Sequence, residues 1–201
     1  MIFIWFCFIA GIIILPLLFV FATTFKEPLD YLKNPIGLPR KWTLENYQLI
    51  FDGFKIQIYF FNSILVSLAS LALSFVISAL ASYAFAKINF RGKRTIYTAC
   101  ITLIMIPYIA TLIPQYIMYS KFGLIDTVLS LVISYAVSTI PYTVYFLTVN
   151  FKKIPDEMLE AAKMDGASLL KVIWFVVLPA SKAAVITICI INFITYWKEL
   201  V

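Results

Sequence analysis

The chain contains no histidine, three cysteines and only 13% charged residues among its 201 positions. Cys7, Cys100 and Cys189 each fall inside an apolar run, so a disulfide framework or a Cys/His metal site has no support, and the thiols read as small buried hydrophobes. Scarce charge beside 63% apolar residues excludes a soluble fold, because a chain of this size has too little interior to hide that much apolar surface. A cytosolic enzyme, a secreted disulfide scaffold and a disordered tail fall away together. The formal net charge of +6 would suggest nucleic acid in a soluble protein. In lipid it reflects loop charges that set orientation, and no nucleic-acid partner is expected.

Other absences concern chemistry. The sequence has no Gly-x-x-x-x-Gly-Lys-Ser/Thr phosphate loop, no His-Glu-x-x-His pair and no Gly-x-Ser-x-Gly elbow, so it lacks the usual means of hydrolysing ATP or cutting bonds within the membrane. Met1–Phe25, Ile56–Ala86, Thr95–Ser120 and Thr127–Phe151 contain no ionisable side chain other than tyrosine and cysteine. Ion-coupled carriers place acids, bases or histidines there, where the cost is tolerated for function. Energy for any work across the membrane must then enter from another subunit.

Each charge-free run exceeds the roughly 20 residues a helix needs to cross hydrocarbon. A fifth apolar region, Val172–Trp197, is interrupted by Pro179 and Lys182, which puts the start of the last span near Ala183. Backbone groups in lipid must be satisfied within the segment, and the runs are too long and uniform for barrel strands. The expectation is an all-α polytopic bundle forming one transmembrane domain over residues 1–201. Its spans would cover about 2–24, 57–86, 95–119, 127–151 and 183–201, with an outer loop at 25–55 and a cytoplasmic loop at 152–179. The first span lacks a basic n-region and a cleavage site, so it reads as an anchor rather than a signal peptide.

Lys87, Arg91, Lys93 and Arg94 crowd the second connection, and Lys152, Lys153, Lys163, Lys171 and Lys182 lie in or beside the fourth. The positive-inside rule makes both cytoplasmic, together with the N-terminus. In the second span Ser63, Ser67, Ser70, Ser74, Ser78 and Ser82 recur at steps of three and four, which sets six hydroxyls on one helical face. That face is either a polar lining for a translocation path or a small-residue seam for close helix packing. Pro107, Pro114 and Pro141 interrupt other spans and are candidate kinks.

The fourth connection reads as structured. Pro155 suits the start of a helix, Asp156 and Glu157 sit at the positive end of its dipole, and Met158–Met164 is a run of good helix formers. Gly166 offers a left-handed stop, and Ser168 can cap a second helix running toward Pro179. In this helix-turn-helix, Met158, Leu159, Ala162 and Met164 form an apolar strip with Glu160 and Lys163 beside it. Such a helix either lies among lipid headgroups or inserts into a groove of a cytoplasmic partner.

Glu160-Ala161-Ala162, three residues, Gly166, nine residues, Val176, one residue and Leu178-Pro179 resemble the signature loop of ABC importer permeases, with Val176 in place of isoleucine. Phe25-Lys26, Thr43-Leu44-Glu45-Asn46-Tyr47, Phe61-Asn62-Ser63, Ser82-Tyr83-Ala84-Phe85-Ala86-Lys87, Phe90-Arg91-Gly92-Lys93, Met105-Ile106-Pro107, Ile113-Pro114, Phe122-Gly123-Leu124-Ile125-Asp126-Thr127 and Ile154-Pro155 extend the likeness to the carbohydrate-uptake branch, in particular the shorter, maltose-type subunit. The resemblance implies a six-span core in a bacterial or archaeal cytoplasmic membrane. It also implies pairing with a second permease subunit, an ABC ATPase dimer and an extracytoplasmic solute-binding protein.

On this resemblance the chain holds no cofactor, ATP and magnesium belong to the ATPase, and Glu160, Ala161, Ala162, Asp165, Gly166, Leu178 and Pro179 form the ATPase-coupling set. Gly166 would free the turn, Glu160 would supply an ionic contact, and Ala161 and Ala162 would give a flat packing face. Ala183 replaces a frequent proline, and Trp197-Lys198-Glu199 replaces the usual Trp-Asn-Glu. The family adds a sixth span beyond Val201, so the resemblance implies a C-terminally truncated chain. Sibling branches that carry polyamines or glycerol phosphate share the loop, and a membrane scaffold recruiting a cytoplasmic protein is the rival of another class.

Overall fold

Proline, glycine and charge set the helix ends in this protein. The computed structural model describes residues 2–199, and every regular element among them is helical. The chain divides into two compact units, with the boundary between Phe61 and Asn62.

The first unit holds α1 (Ile2–Thr23), α2 (Pro28–Lys33) and α3 (Glu45–Gln48), the last continuing through a π turn at Leu49–Gly53. The segment that follows α1 is ordered by polar groups rather than by an apolar core. Lys26, 1% exposed, donates to the carbonyls of Asn34 (2.7 Å) and Pro35 (3.3 Å), and its ammonium lies 5.9 Å from the Tyr31 ring centroid. Asn46 donates to the carbonyls of Thr24 and Lys26, and the Tyr47 hydroxyl shares a hydrogen bond with Thr24. Phe25 packs on Trp42 and Tyr47. The Phe25-Lys26 and Thr43–Tyr47 segments, distant in sequence, are thereby brought into one cluster.

The second unit is built on α4 (Ile56–Lys87, which begins in the first unit), α5 (Lys93–Thr102), α6 (Tyr108–Lys121), α7 (Val128–Phe151), α8 (Asp156–Met164), α9 (Leu169–Val172), α10 (Leu178–Ala180) and α11 (Lys182–Glu199). A 3-10 turn at Leu103–Met105 extends α5, and a π turn at Ile173–Val177 joins α9 to α10. One buried cluster unites Ala79 and Tyr83 of α4, Leu147 and Phe151 of α7, Leu159 of α8, Val172 of α9, Ile173 and Val177 of the π turn, Leu178 of α10, and Ile188 of α11. A second joins Val66, Val132, Tyr135 and Tyr196.

Among the described residues three helices are long and apolar enough to cross a membrane: Trp5–Thr23, Ile56–Lys87 and Val128–Phe151. Two bent pairs raise the number to five. The continuous span expected at 95–119 is instead two helices meeting at 103°. Pro107 disfavours helical backbone at the residue before it, and Ile106 accordingly adopts an extended conformation (φ −79°, ψ 118°). Pro114 and Pro141 stay inside continuous helices. The last span starts at Lys182, one residue before the position expected, and turns 88° from the preceding rod Leu169–Ala180 at Ser181. Residues 200 and 201 of that span lie outside the described residues. Cys7 is exposed, against expectation, in a helix none of whose residues from Trp5 onward is buried; Cys100 and Cys189 are partly buried.

Candidate functional site

The helix-turn-helix expected between the fourth and fifth apolar runs is present, and both ends of its first helix are fixed. Pro155 takes the N-cap position (φ −59°, ψ 138°), where its missing N–H is no loss, and Asp156 and Glu157 occupy the first turn. At the other end Gly166 has φ +78°. The Ala167 N–H reaches the Ala162 carbonyl and the Gly166 N–H the Lys163 carbonyl, both at 3.0 Å. This pair of bonds is the Schellman closure, in which the residue after the helix must adopt left-handed backbone. Its side chains follow suit, since Ala162 and Ala167 pack together against the buried cluster.

The N-terminal end is tied by a residue the sequence reading did not place in the site. Lys87, the last residue of α4, donates to the Ile154 carbonyl and lies 2.7 Å from Asp156 Oδ1. Its side chain is 8% exposed, so the ammonium has exchanged water for these two oxygens.

The apolar strip predicted for this helix splits between two faces. Leu159 is 3% exposed and lies in the core, with Ala162 beside it. Met164 is 88% exposed, and Glu157, Glu160, Ala161, Asp165 and Gly166 are exposed as well. At 100° per residue Leu159 and Met164 lie on different sides of the helix, so only one of them can turn inward. The exposed side therefore presents the acids Glu157, Glu160 and Asp165 with Lys163, the methyl of Ala161, and the methionines Met158 and Met164.

Leu178 is buried in the core and Pro179 is exposed beside it. Proline cannot donate to the carbonyl four residues earlier, and the chain approaches it through the π turn, where the Leu178 N–H bonds to Ile173 O five residues back. Ser168 has extended cap geometry, but its hydroxyl makes no capping bond. The coupling residues named from sequence thus surround one hairpin.

The serine face lies elsewhere, along the inside of α4. Ser67, Ser70, Ser74, Ser78 and Ser82 are fully buried and Ser63 is partly so. Ser82 donates to the Val144 carbonyl of α7 (3.1 Å), and Ser74 accepts from the Tyr196 hydroxyl of α11 (2.9 Å). Tyr196 also bonds Thr139, while Asn192 donates to Thr143 (2.9 Å). The hydroxyls of Ser67, Ser70 and Ser78 make no hydrogen bond among the described residues. Thr139, Thr143, Asn192 and Tyr196 were missed from sequence. Their signal was the spacing of four within each of two apolar runs. Among the described residues no group of three or more Cys, Asp or Glu is arranged to hold a metal.

Residues 74–201 match the family described as binding-protein-dependent transport system inner membrane component. The diacetylchitobiose uptake system permease protein NgcG of Streptomyces coelicolor is 31% identical over 188 residues, covering 94% of this chain and 62% of that protein. The trehalose transport system permease protein SugB of Mycobacterium tuberculosis is 32% identical over 192 residues, 96% of this chain and 70% of that one. The inner membrane ABC transporter permease protein YcjP of Escherichia coli is 31% identical over 191 residues, with 94% and 68% covered. The chain therefore spans 62–70% of these relatives' length. In fold it is similar to a chain in the crystal structure of a bacterial ABC transporter involved in import of the acidic polysaccharide alginate, with a TM-score of 0.85 at 22% identity over 96% of this chain and 68% of that chain.

Proposed function

Because the chain belongs to the family of binding-protein-dependent transport system inner membrane components, the permease subunits of ABC transporters, which are not themselves enzymes, we propose that it is the membrane subunit through which ATP closure elsewhere drives import of a carbohydrate. A second permease subunit completes the path, an ABC ATPase dimer supplies ATP and magnesium, and an extracytoplasmic solute-binding protein delivers the solute. The hairpin and the N-terminus face the cytoplasm, in keeping with the lysines and arginines of the second and fourth connections. The names of the relatives, which speak of diacetylchitobiose and trehalose, favour a sugar or short oligosaccharide over polyamine or glycerol phosphate.

One observation carries the mechanical part of this reading. The helix α8 is clamped by Lys87 at its start, by the Schellman closure at its end, and by Leu159 along its inner side. A force applied to its outer face therefore moves α4, α7 and α11 as one body, which is what rigid-body alternating access requires. Glu160, Ala161, Met164 and Gly166 form the surface gripped by the ATPase. The buried serine face serves as a packing seam, because small hydroxyl residues let α4 approach α7 and α11 closely while Ser74 and Ser82 bond across.

The test is ATP-dependent uptake of labelled disaccharide by proteoliposomes holding the full-length protein with its partner subunits. Accumulation that is lost on replacing Gly166 with arginine supports the reading. Assembly and a recruited cytoplasmic protein without any uptake would favour a scaffold, and uptake unchanged by Gly166→Arg would remove the docking role.

A further inference from the structure

The C-terminal end of α4, the start of α5 and the residue after α7 enclose an open cavity of about 550 Å³ lined by Phe85, Phe90, Gly92, Lys93, Arg94, Thr95, Tyr97 and Lys152. Three cations line it and no acid does. Like charges around one cavity repel one another unless an anion sits among them.

The partners already present do not supply that anion. Lys93 donates to the Ile88 carbonyl at 2.8 Å, which satisfies one of its three protons. Lys152 lies 5.6 Å from the Tyr97 ring centroid. Arg94 is exposed and makes no ion pair or side-chain hydrogen bond among the described residues. Gly92, at φ +82°, turns the chain into α5 without a side-chain cap, and the amides of Arg94 and Thr95 have no acceptor among the described residues. Three cationic residues and the start of α5, with its unpaired amides, thus border one space, which is a setting for a phosphoryl oxyanion.

Two sources could supply a phosphate: a lipid headgroup or a soluble ion. Position favours the lipid. Arg94 and Lys152 are the first charged residues beyond the charge-free runs Thr95–Ser120 and Thr127–Phe151, so the cavity sits at headgroup depth. Its wall is aromatic, with Phe85 packed on Tyr97 at 5.2 Å and on Phe90 at 6.0 Å, and aromatic rings concentrate at this level. Basic recesses between spans on the cytoplasmic side suit anionic headgroups.

We propose that this cavity binds the phosphate of an anionic phospholipid, with Arg94 and Lys152 as the charge contacts, Thr95 as a hydroxyl donor and the Phe85–Phe90–Tyr97 wall against the glycerol. The site is separate from the hairpin's outer face, and it stands whether or not that face meets an ATPase.

The experiment uses the full-length protein assembled with its partner subunits and purified in the presence of equal amounts of phosphatidylglycerol and phosphatidylcholine. Native mass spectrometry then counts the lipid retained on the wild type, on Arg94→Gln/Lys152→Gln and on the charge-keeping Arg94→Lys. Preferential retention of one phosphatidylglycerol, reduced on the order of tenfold in the double variant and kept in Arg94→Lys, supports the site. Size-exclusion elution and thermal midpoint establish that the double variant is folded. Equal retention of the two lipids by the wild type, or undiminished phosphatidylglycerol on a folded double variant, overturns it. A third arm adds inorganic phosphate in excess. Loss of the bound lipid there assigns the cavity to a soluble phosphate and overturns the lipid assignment.

Discussion

The ammonium of Lys87, at the last residue of the longest helix, lies 2.7 Å from the carboxylate of Asp156, at the first residue of the hairpin helix. The two groups differ sharply in environment, since the Lys87 side chain is 8% exposed and that of Asp156 is 74% exposed. An ion pair with one partner in water is screened and worth roughly 0–1 kcal/mol, whereas the bond from a buried ammonium to the Ile154 carbonyl leaves an unsatisfied acceptor when removed. Lys87→Met should therefore lower stability by about 1–3 kcal/mol and Asp156→Asn by about 1 kcal/mol or less. Thermal or denaturant unfolding of the two variants in detergent checks the order, and a larger loss from Asp156→Asn would refute it.

Gly166 is a conformational requirement and not a steric one. A Cβ built there meets nothing within 4 Å, yet φ is +78°. Gly166→Ala should cost about 1–2 kcal/mol, the penalty for an L-residue in left-handed backbone, and Gly166→Asn should cost less. A cost from Gly166→Asn equal to or above that from alanine would show that something other than the backbone matters at this position.

The two sides of α8 should respond differently to truncation. Leu159→Ala removes a core side chain and should destabilise by about 2–5 kcal/mol. Met164→Ala removes an exposed one and should leave stability within about 0.5 kcal/mol while weakening co-purification of the ATPase. The comparison needs only a thermal midpoint and a pull-down on each variant, and a stability loss shared equally by both would contradict the split.

Across the interior, Asn192 and Thr143 share a hydrogen bond of 2.9 Å between α11 and α7. Such bonds within membrane bundles average about 0.6 kcal/mol and reach about 1.7 kcal/mol. A double-mutant cycle with Asn192→Leu and Thr143→Val should return a coupling in that range. Zero coupling would mean that the two side chains are held by packing alone.

The sequence made the helical architecture and the hairpin legible because both are local. Charge-free runs mark the spans, and Pro155, Gly166 and the helix formers between them mark the hairpin. The 103° break before Pro107 was only half visible, since Pro114 and Pro141 carry the same chemistry and remain inside continuous helices. What separates them is the extended backbone at Ile106. Lys87 and Asp156 are 69 positions apart, and no spacing rule joins residues at such a distance. Buried Lys26 was hidden for another reason: its acceptors are backbone carbonyls, which leave no trace in residue identity. The serine face was visible as a stripe, but its neighbours Thr139, Thr143, Asn192 and Tyr196 come from other helices.

The most direct test of the lever is a disulfide or bifunctional crosslink from Ala161→Cys, in a background lacking Cys7, Cys100 and Cys189, to the ATPase subunit of the assembled transporter. The account predicts a crosslink both without nucleotide and with ATP bound, because the contact must persist while the bundle turns. Absence of any crosslink, together with labelling of that cysteine by an impermeant thiol reagent from outside the cell, would contradict it.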